Sequence, residues 1–254
     1  MNNNLPEPVL PESIHSSPWI TRQRRPLVLL LLGIGFVLTL VFIPESARTS
    51  LWKALVAQRG LVFLLAIFAL VTVSLIWSAG QRLDMSIFKL LNLPDYPGWL
   101  DRAMWLTTQL GNMLVAFLLA LLLFILKYRR LAVEIVLGTL SLWLLVELIK
   151  SLSDRQRPFH NLDNARIIGW REKGRSFPSG HTSQIFFVMT LIIHSLQLRL
   201  WVSVALYALA ALVGLTRIYV GAHYPRDVMA GIVLGSAWGL LAMLVDGYWL
   251  FLYF

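Results

Sequence analysis

The chain has 254 residues, and 22 Lys and Arg against 13 Asp and Glu give a formal charge of +9. Hydrophobic residues make up 57% and charged residues only 14%, well short of the roughly 25% charged of a soluble domain, so a water-soluble globule is excluded. Cysteine is absent, which removes disulfides, thiolate nucleophiles and Cys-ligated metals. The basic residues are scattered among apolar runs instead of lining one face, which argues against nucleic acid as a partner.

Residues 1–25 read as a polar, flexible tail with Pro6, Pro8 and Pro11, closed by Arg22, Arg24 and Arg25. The apolar run at 27–43 resembles a signal-peptide core, yet its polar lead is long and no small-x-small cleavage site follows. An uncleaved anchor helix is expected there, at the short end of what spans a bilayer. Further apolar runs at 61–79, 110–126, 131–149, 182–198, 200–219 and 228–254 make seven in all. Each is expected to be helical, because lipid offers backbone groups no partners outside their own chain. The ten Trp suit a protein with two membrane interfaces to anchor.

The predicted fold class is therefore all-α, a polytopic membrane helical bundle. Its parts are a tail at 1–25, an anchor helix and linker at 26–60, and a membrane-embedded core at 61–254. Between the second and third runs, residues 80–109 carry Pro94, Pro97, Gly98, Trp99 and Trp105, a composition that suits a short helix lying in the interface. The one long polar insertion is 151–179. Function in a membrane protein concentrates where polar residues are retained.

Three blocks carry chemistry. The first runs from Lys150 at the end of the fourth run to Arg157-Pro158, so that Lys150 and Arg157 can converge at the membrane edge; taken alone, they read as snorkelling anchors. The second is Pro178-Ser179-Gly180-His181-Thr182 at the head of an apolar helix. Free amides and the positive dipole end make an anion site there, although Ser179 alone reads as an ordinary N-cap. The third is Thr216-Arg217 followed by His223 and Asp227. Asp227 can accept a hydrogen bond from one imidazole nitrogen of His223 and leave the other exposed as nucleophile or base. A capping Asp beside a packed His fits that isolated pair equally well.

Helix parity places all three blocks on one membrane face. Lys150, Arg157, Arg217 and the helix N-terminus form a cradle for a multiply charged oxyanion, with His181 and His223 beside it. The constellation calls for phosphoryl transfer. A metal reading of His181, His223 and Asp227 is opposed by the three cations, and no metal is expected.

Together the blocks resemble the type 2 phosphatidic acid phosphatase superfamily, whose pattern is Lys-x6-Arg-Pro, Pro-Ser-Gly-His and Ser-Arg-x5-His-x3-Asp; Thr216 stands here in place of the usual Ser. The resemblance covers about residue 61 to the C-terminus and implies a six-helix phosphatase core, to which 27–43 adds one N-terminal helix. It implies His223 as the nucleophile that forms a phosphohistidine, Asp227 as its orienting group and His181 as general acid. Lys150, Arg157, Ser179, Gly180 and Arg217 would hold the phosphoryl group. No cofactor is implied. The substrate is expected to be a membrane lipid phosphate or diphosphate, undecaprenyl diphosphate-like or phosphatidate or phosphatidylglycerophosphate, met at the bilayer.

Two other classes compete. A vanadate-dependent haloperoxidase resembles the same anion pocket but is soluble, and a non-catalytic phospholipid carrier or channel would need the cations but not the His223 and Asp227 pair. The remaining histidines are given bland roles: His15 in the tail, His160 in the loop, His194 packed within a helix. Glu147 either pairs with Lys150 or faces the bundle interior. An extracytoplasmic site in the plasma membrane leaves Arg48, Lys53, Arg59, Lys127, Arg129, Arg130 and Arg199 inside, as the positive-inside trend requires. With seven full spans Arg22 to Arg25 would lie outside, a conflict that vanishes if 27–43 does not fully span.

Overall fold

The computed structural model describes the backbone of residues 45, 49, 52, 53 and 56–253, with side chains as far as residue 244. The expected tail at 1–25 and anchor helix at 27–43 lie outside the described residues. The chain divides into two units between residues 54 and 55, and the second contains everything that follows.

Regular structure among the described residues is helical: α1 (Arg59–Ser74), α2 (Ser78–Asn92), α3 (Gly98–Thr108), a 3-10 turn (Gln109–Gly111), α4 (Met113–Ile125), α5 (Arg129–Ser153), the single turn α6 (Pro158–Asn161), α7 (Gly180–Ser195), α8 (Leu200–Tyr219) and α9 (Pro225–Tyr253). Among these residues the stretches Arg129–Asn161, Leu200–Tyr219 and Pro225–Leu244 are long and apolar enough to cross a bilayer. Two bent pairs qualify only as units, α1 with α2 at 94° and α3 with its 3-10 turn and α4 at 60°.

The expected second helix at 61–79 stops at Ser74. Leu75, Ile76 and Trp77 keep the run apolar across the break, so hydropathy conceals it. Beyond the bend, α2 is amphipathic: Asp84, Phe88 and Asn92, four residues apart, are its buried face, whereas Leu83 and Leu90 are exposed. The region 80–109 thus holds two short helices, where a single interface helix is expected from sequence.

The bundle is apolar on its outer face, and the polar side chains inside it find partners there. Leu118, Leu121, Leu137 and Leu144 face outward, whereas Gln184 donates to Thr139 at 2.7 Å and the hydroxyls of Thr190 and Tyr207 pair at 3.1 Å inside. Helix α7 packs against α5, α8 and α9, with Ile135, Leu142, Phe187 and Leu191 in the core.

Gly231, Gly235 and Gly239 form a stripe on α9 against α7. A Cβ at these positions would come within 2.8 Å of the Ser179 carbonyl, 2.2 Å of the Ser183 carbonyl and 2.7 Å of Thr190 Cβ. Small residues at this spacing let two backbones approach closely. The approach sets the head of α7 beside the head of α9, where the Ser179 amide donates to the Asp227 carbonyl at 3.0 Å.

Candidate active site

Helix α5 is followed at its C-cap by Asp154, whose φ of 51° turns the chain out of the helix. The next residues then zip to the end of the long loop. The Ser176 amide donates to the Arg155 carbonyl at 2.9 Å, the Ser153 hydroxyl to the Phe177 carbonyl at 3.1 Å, and Arg157 Nε to the Gly174 carbonyl at 3.2 Å. On the other side the α8 to α9 turn depends on Gly221, at φ +86°, where a Cβ would lie 2.2 Å from the Arg166 carbonyl. Asn92 fixes that contact by donating to the carbonyls of Arg166 (2.9 Å) and Tyr219 (2.8 Å) and accepting from the Arg166 amide at 2.9 Å. The turn delivers His223 into the interior.

Arg157, 1% exposed, reaches the same point. Its Nη1 donates to the Ala222 carbonyl at 3.0 Å and lies 3.4 Å from His223 Nε2. A guanidinium has only donors, so Nε2 presents its lone pair and the imidazole proton belongs on Nδ1. Arg217 enters from α8, donating from Nη1 to Thr108 Oγ1 at 2.8 Å. His181 enters from the first turn of α7.

The centre of this ring is filled by Glu172, which sequence reasoning does not single out. Its Oε2 is 2.8 Å from Arg157 Nη1 and 3.8 Å from His223 Nε2, its Oε1 is 3.8 Å from His181 Nδ1, and Arg217 Nη2 also donates to Oε1. Burial alone would push this carboxyl up, but Arg217, with Arg157 beyond it, holds it below the usual carboxylate range. Burial also holds the His223 imidazole well below the usual histidine range, and Arg157 adds to the effect. A neutral imidazole and an ionised carboxylate result, a state in which two guanidinium groups grip an oxyanion beside an unprotonated nitrogen.

The other predicted residues are placed with differences. Lys150 pairs with Glu147 at 2.8 Å, and its Nζ is 3.9 Å from where a Gly180 Cβ would be, which puts the ammonium beside the first residue of α7. Ser179 is fully buried and turned into its own helix, its hydroxyl 2.9 Å from Thr182 Oγ1 and accepting from the Thr182 amide at 3.5 Å. The expected hydrogen bond between His223 and Asp227 is not made. Asp227 Oδ2 lies 3.7 Å from Nδ1 because it already accepts from the Ser176 hydroxyl and, at 2.9 Å, from the Tyr224 amide; Nδ1 is buried without a partner. His194, expected to be packed, is exposed near the end of α7, and His160 is exposed on α6.

Two clefts meet at Glu172 and His181. One, about 330 Å³, is lined by the apolar Met113, Leu142, Trp143 and Val146 and by Lys150 and His223. The other, about 240 Å³, is lined by Trp105, Gln109, Ile167, Trp170 and Arg217.

A bundle with a lipid-facing exterior and an interior oxyanion seat flanked by two histidines defines an integral membrane protein built for anionic groups. The family model described as PAP2 superfamily matches residues 131–250. Phosphatidylglycerophosphatase B of Bacillus subtilis is 32% identical over 203 residues, covering 74% of this chain and 93% of that protein. An undecaprenyl-diphosphatase of Sulfolobus acidocaldarius is 27% identical over 188 residues, covering 72% and 89%. The crystal structure of a transmembrane PAP2 type phosphatidylglycerolphosphate phosphatase from Bacillus subtilis superposes with a TM-score of 0.65 at 26% identity, covering 74% of this chain and 96% of that one. The chain belongs to the PAP2 superfamily.

Proposed function

We propose that the protein is an integral membrane lipid phosphatase that cleaves a lipid phosphate or diphosphate through a phosphohistidine on His223. The observation that carries this reading is the seat of Glu172. A carboxylate bound by Arg157 and Arg217, 3.8 Å from His223 Nε2 and 3.8 Å from His181 Nδ1, supports a phosphoryl group held at that point.

With the phosphoryl group in that seat, the Nε2 lone pair attacks phosphorus and the bond to the leaving oxygen breaks. His181 gives that oxygen its proton. Water then attacks phosphorus, the P–N bond breaks, and His181 takes the water's proton. Arg157, Arg217, Lys150 and the first amides of α7 stabilise charge on the transferring oxygens. Ser179 contributes by capping α7, which holds those amides in place.

The apolar lining of Met113, Leu142, Trp143 and Val146 beside Lys150 supports a substrate whose tails stay beside α4 and α5 while its headgroup enters the seat. Relatives that act on undecaprenyl diphosphate and on phosphatidylglycerophosphate support both substrate classes. Arg59, Lys127, Arg129, Arg130 and Arg199 lie at helix ends opposite the site by helix parity, which supports an extracytoplasmic site in the plasma membrane.

The test is phosphate release by the purified protein across undecaprenyl diphosphate, phosphatidylglycerophosphate and phosphatidate, with His223→Ala alongside. Release from at least one lipid, lost in the variant, is expected. Headgroup binding without release from any of them would favour a carrier. For sidedness, a single cysteine at the exposed Asn164 should react with an impermeant thiol reagent on intact cells; reaction only after lysis would place the site in the cytoplasm.

A further inference from the structure

Four charged side chains form a quartet that the chemistry above does not use: the buried Asp84 of α2, the half-buried Arg155 after α5, and the buried Arg226 and Asp227 at the head of α9. Asp84 is 2% and Asp227 0% exposed. Asp84 accepts from the Arg226 amide at 3.0 Å and from Arg226 Nε at 2.7 Å, which ties α2 to the first turn of α9. Arg155 bridges the two carboxylates, donating Nη1 to Asp227 Oδ1 at 2.5 Å and Nη2 to Asp84 Oδ2. Its guanidinium also lies 4.6 Å from the centre of the Tyr224 ring, next in sequence to His223.

A pair of negative charges against a pair of positive ones leaves the quartet neutral, as burial requires. Such a network is expensive to build for stability alone, since apolar packing does as well. Its placement decides what it is for. One end is on the helix that bends away from α1 by 94°, and the other is the carboxylate expected to orient the reacting histidine.

We infer that Arg155 is a positioning residue for the His223 reaction, holding Asp227 in place and damping its charge, with Asp84 in turn holding Arg155. Asp227 Oδ1 is committed to Arg155 and Oδ2 to Ser176 and Tyr224. The imidazole therefore feels a carboxylate partly neutralised by a guanidinium, and Nε2 stays unprotonated and available. The charged and titratable groups facing His223 are Arg157 from the segment before α6, Glu172 from the loop, Arg217 from α8, Lys150 from α5, His181 from α7 and Asp227 from α9. Arg155 acts through the last of these.

The inference rests on His223 being the nucleophile, and the experiment separates the two. Wild type, Arg155→Gln, Arg155→Lys, Asp84→Asn and His223→Ala are purified, and kcat, KM and the pH dependence of kcat/KM are measured per folded molecule on one substrate. Substrate ionisation is common to all, so differences in the acid limb belong to the enzyme. Arg155→Gln frees the charge of Asp227, favours the imidazolium and should move the acid limb up by about one pH unit. It should lower kcat at least about tenfold, as loss of an orienting partner does, with KM within about twofold because the seat itself is untouched. Arg155→Lys restores the charge without the bidentate fork, so its limb should return to the wild-type position with an intermediate kcat. Asp84→Asn should resemble Arg155→Gln in direction and be weaker. A limb that stays put in Arg155→Gln, with kcat unchanged per folded molecule, would overturn the role; should that variant not fold, a wild-type kcat in Arg155→Lys would do the same. Full activity in His223→Ala would instead refute the nucleophile.

Discussion

Glu172 and Arg157 form an ion pair at 2.8 Å inside the site, with the arginine 1% exposed and the carboxylate on the floor shared by two clefts. An acidic side chain thus occupies a place well suited to an external anion. Any phosphate that enters must displace it or share the guanidinium groups with it.

Replacing Glu172 by Gln removes the competing charge. Vanadate, whose five-coordinate adduct with His223 Nε2 resembles the phosphoryl transition state, should bind about three- to tenfold more tightly, a gain of up to about 1.4 kcal/mol. The same change should move the acid limb of kcat/KM down, because the carboxylate favours the His223 imidazolium and its loss leaves Arg157 and Arg217 unopposed. Inhibition constants and pH profiles of the two proteins check both signs.

His181→Ala should fall by about 10² to 10⁴ on a natural lipid, the usual worth of a proton donor. A substrate with a good leaving group, such as an aryl phosphate ester, needs less protonation and should recover much of the loss. An equal loss on both substrates would assign His181 to holding the anion instead.

Much of this site is legible in sequence, because motif spacing and helix parity bring Lys150, Arg157, His181, Arg217 and His223 to one face without knowledge of packing. Glu172 is not, since the loop at 151–179 reads as basic and one carboxylate among Arg171, Lys173 and Arg175 looks like charge balance. Asp84 is paired with residues 71 and 142 positions away, which no local pattern displays. A signal does exist: Asp84 and Asn92 share a helical face with Phe88, and two polar residues on an apolar face are candidates for buried partners. The break after Ser74 is hidden for the opposite reason, since the apolar run passes through it. The hydrogen bond expected from the His223 imidazole to Asp227 fails because sequence spacing gives proximity but not the competing donors to Oδ2, the Ser176 hydroxyl and the Tyr224 amide.

Gly221→Ala should destabilise the folded protein by about 2 kcal/mol or more, since φ +86° is strained for alanine. The added methyl also meets the Arg166 carbonyl, a backbone atom pinned by Asn92. Because the turn carries His223, activity per folded molecule should fall as well. Thermal unfolding and turnover measured on one preparation test both effects.

Activity should survive a chelator such as EDTA, because the guanidinium groups of Arg157 and Arg217 and the ammonium of Lys150 around the seat repel a divalent ion. Loss on chelation that one specific divalent ion restores would contradict this.

The most direct measurement is capture of the intermediate. The purified protein is mixed with a lipid substrate labelled in the transferred phosphate, quenched within a turnover and mapped by peptide. Label bound as acid-labile, alkali-stable phosphohistidine at His223, and absent from the His223→Ala variant, is the predicted result. Label on another residue, or phosphate release that continues in His223→Ala, would contradict it.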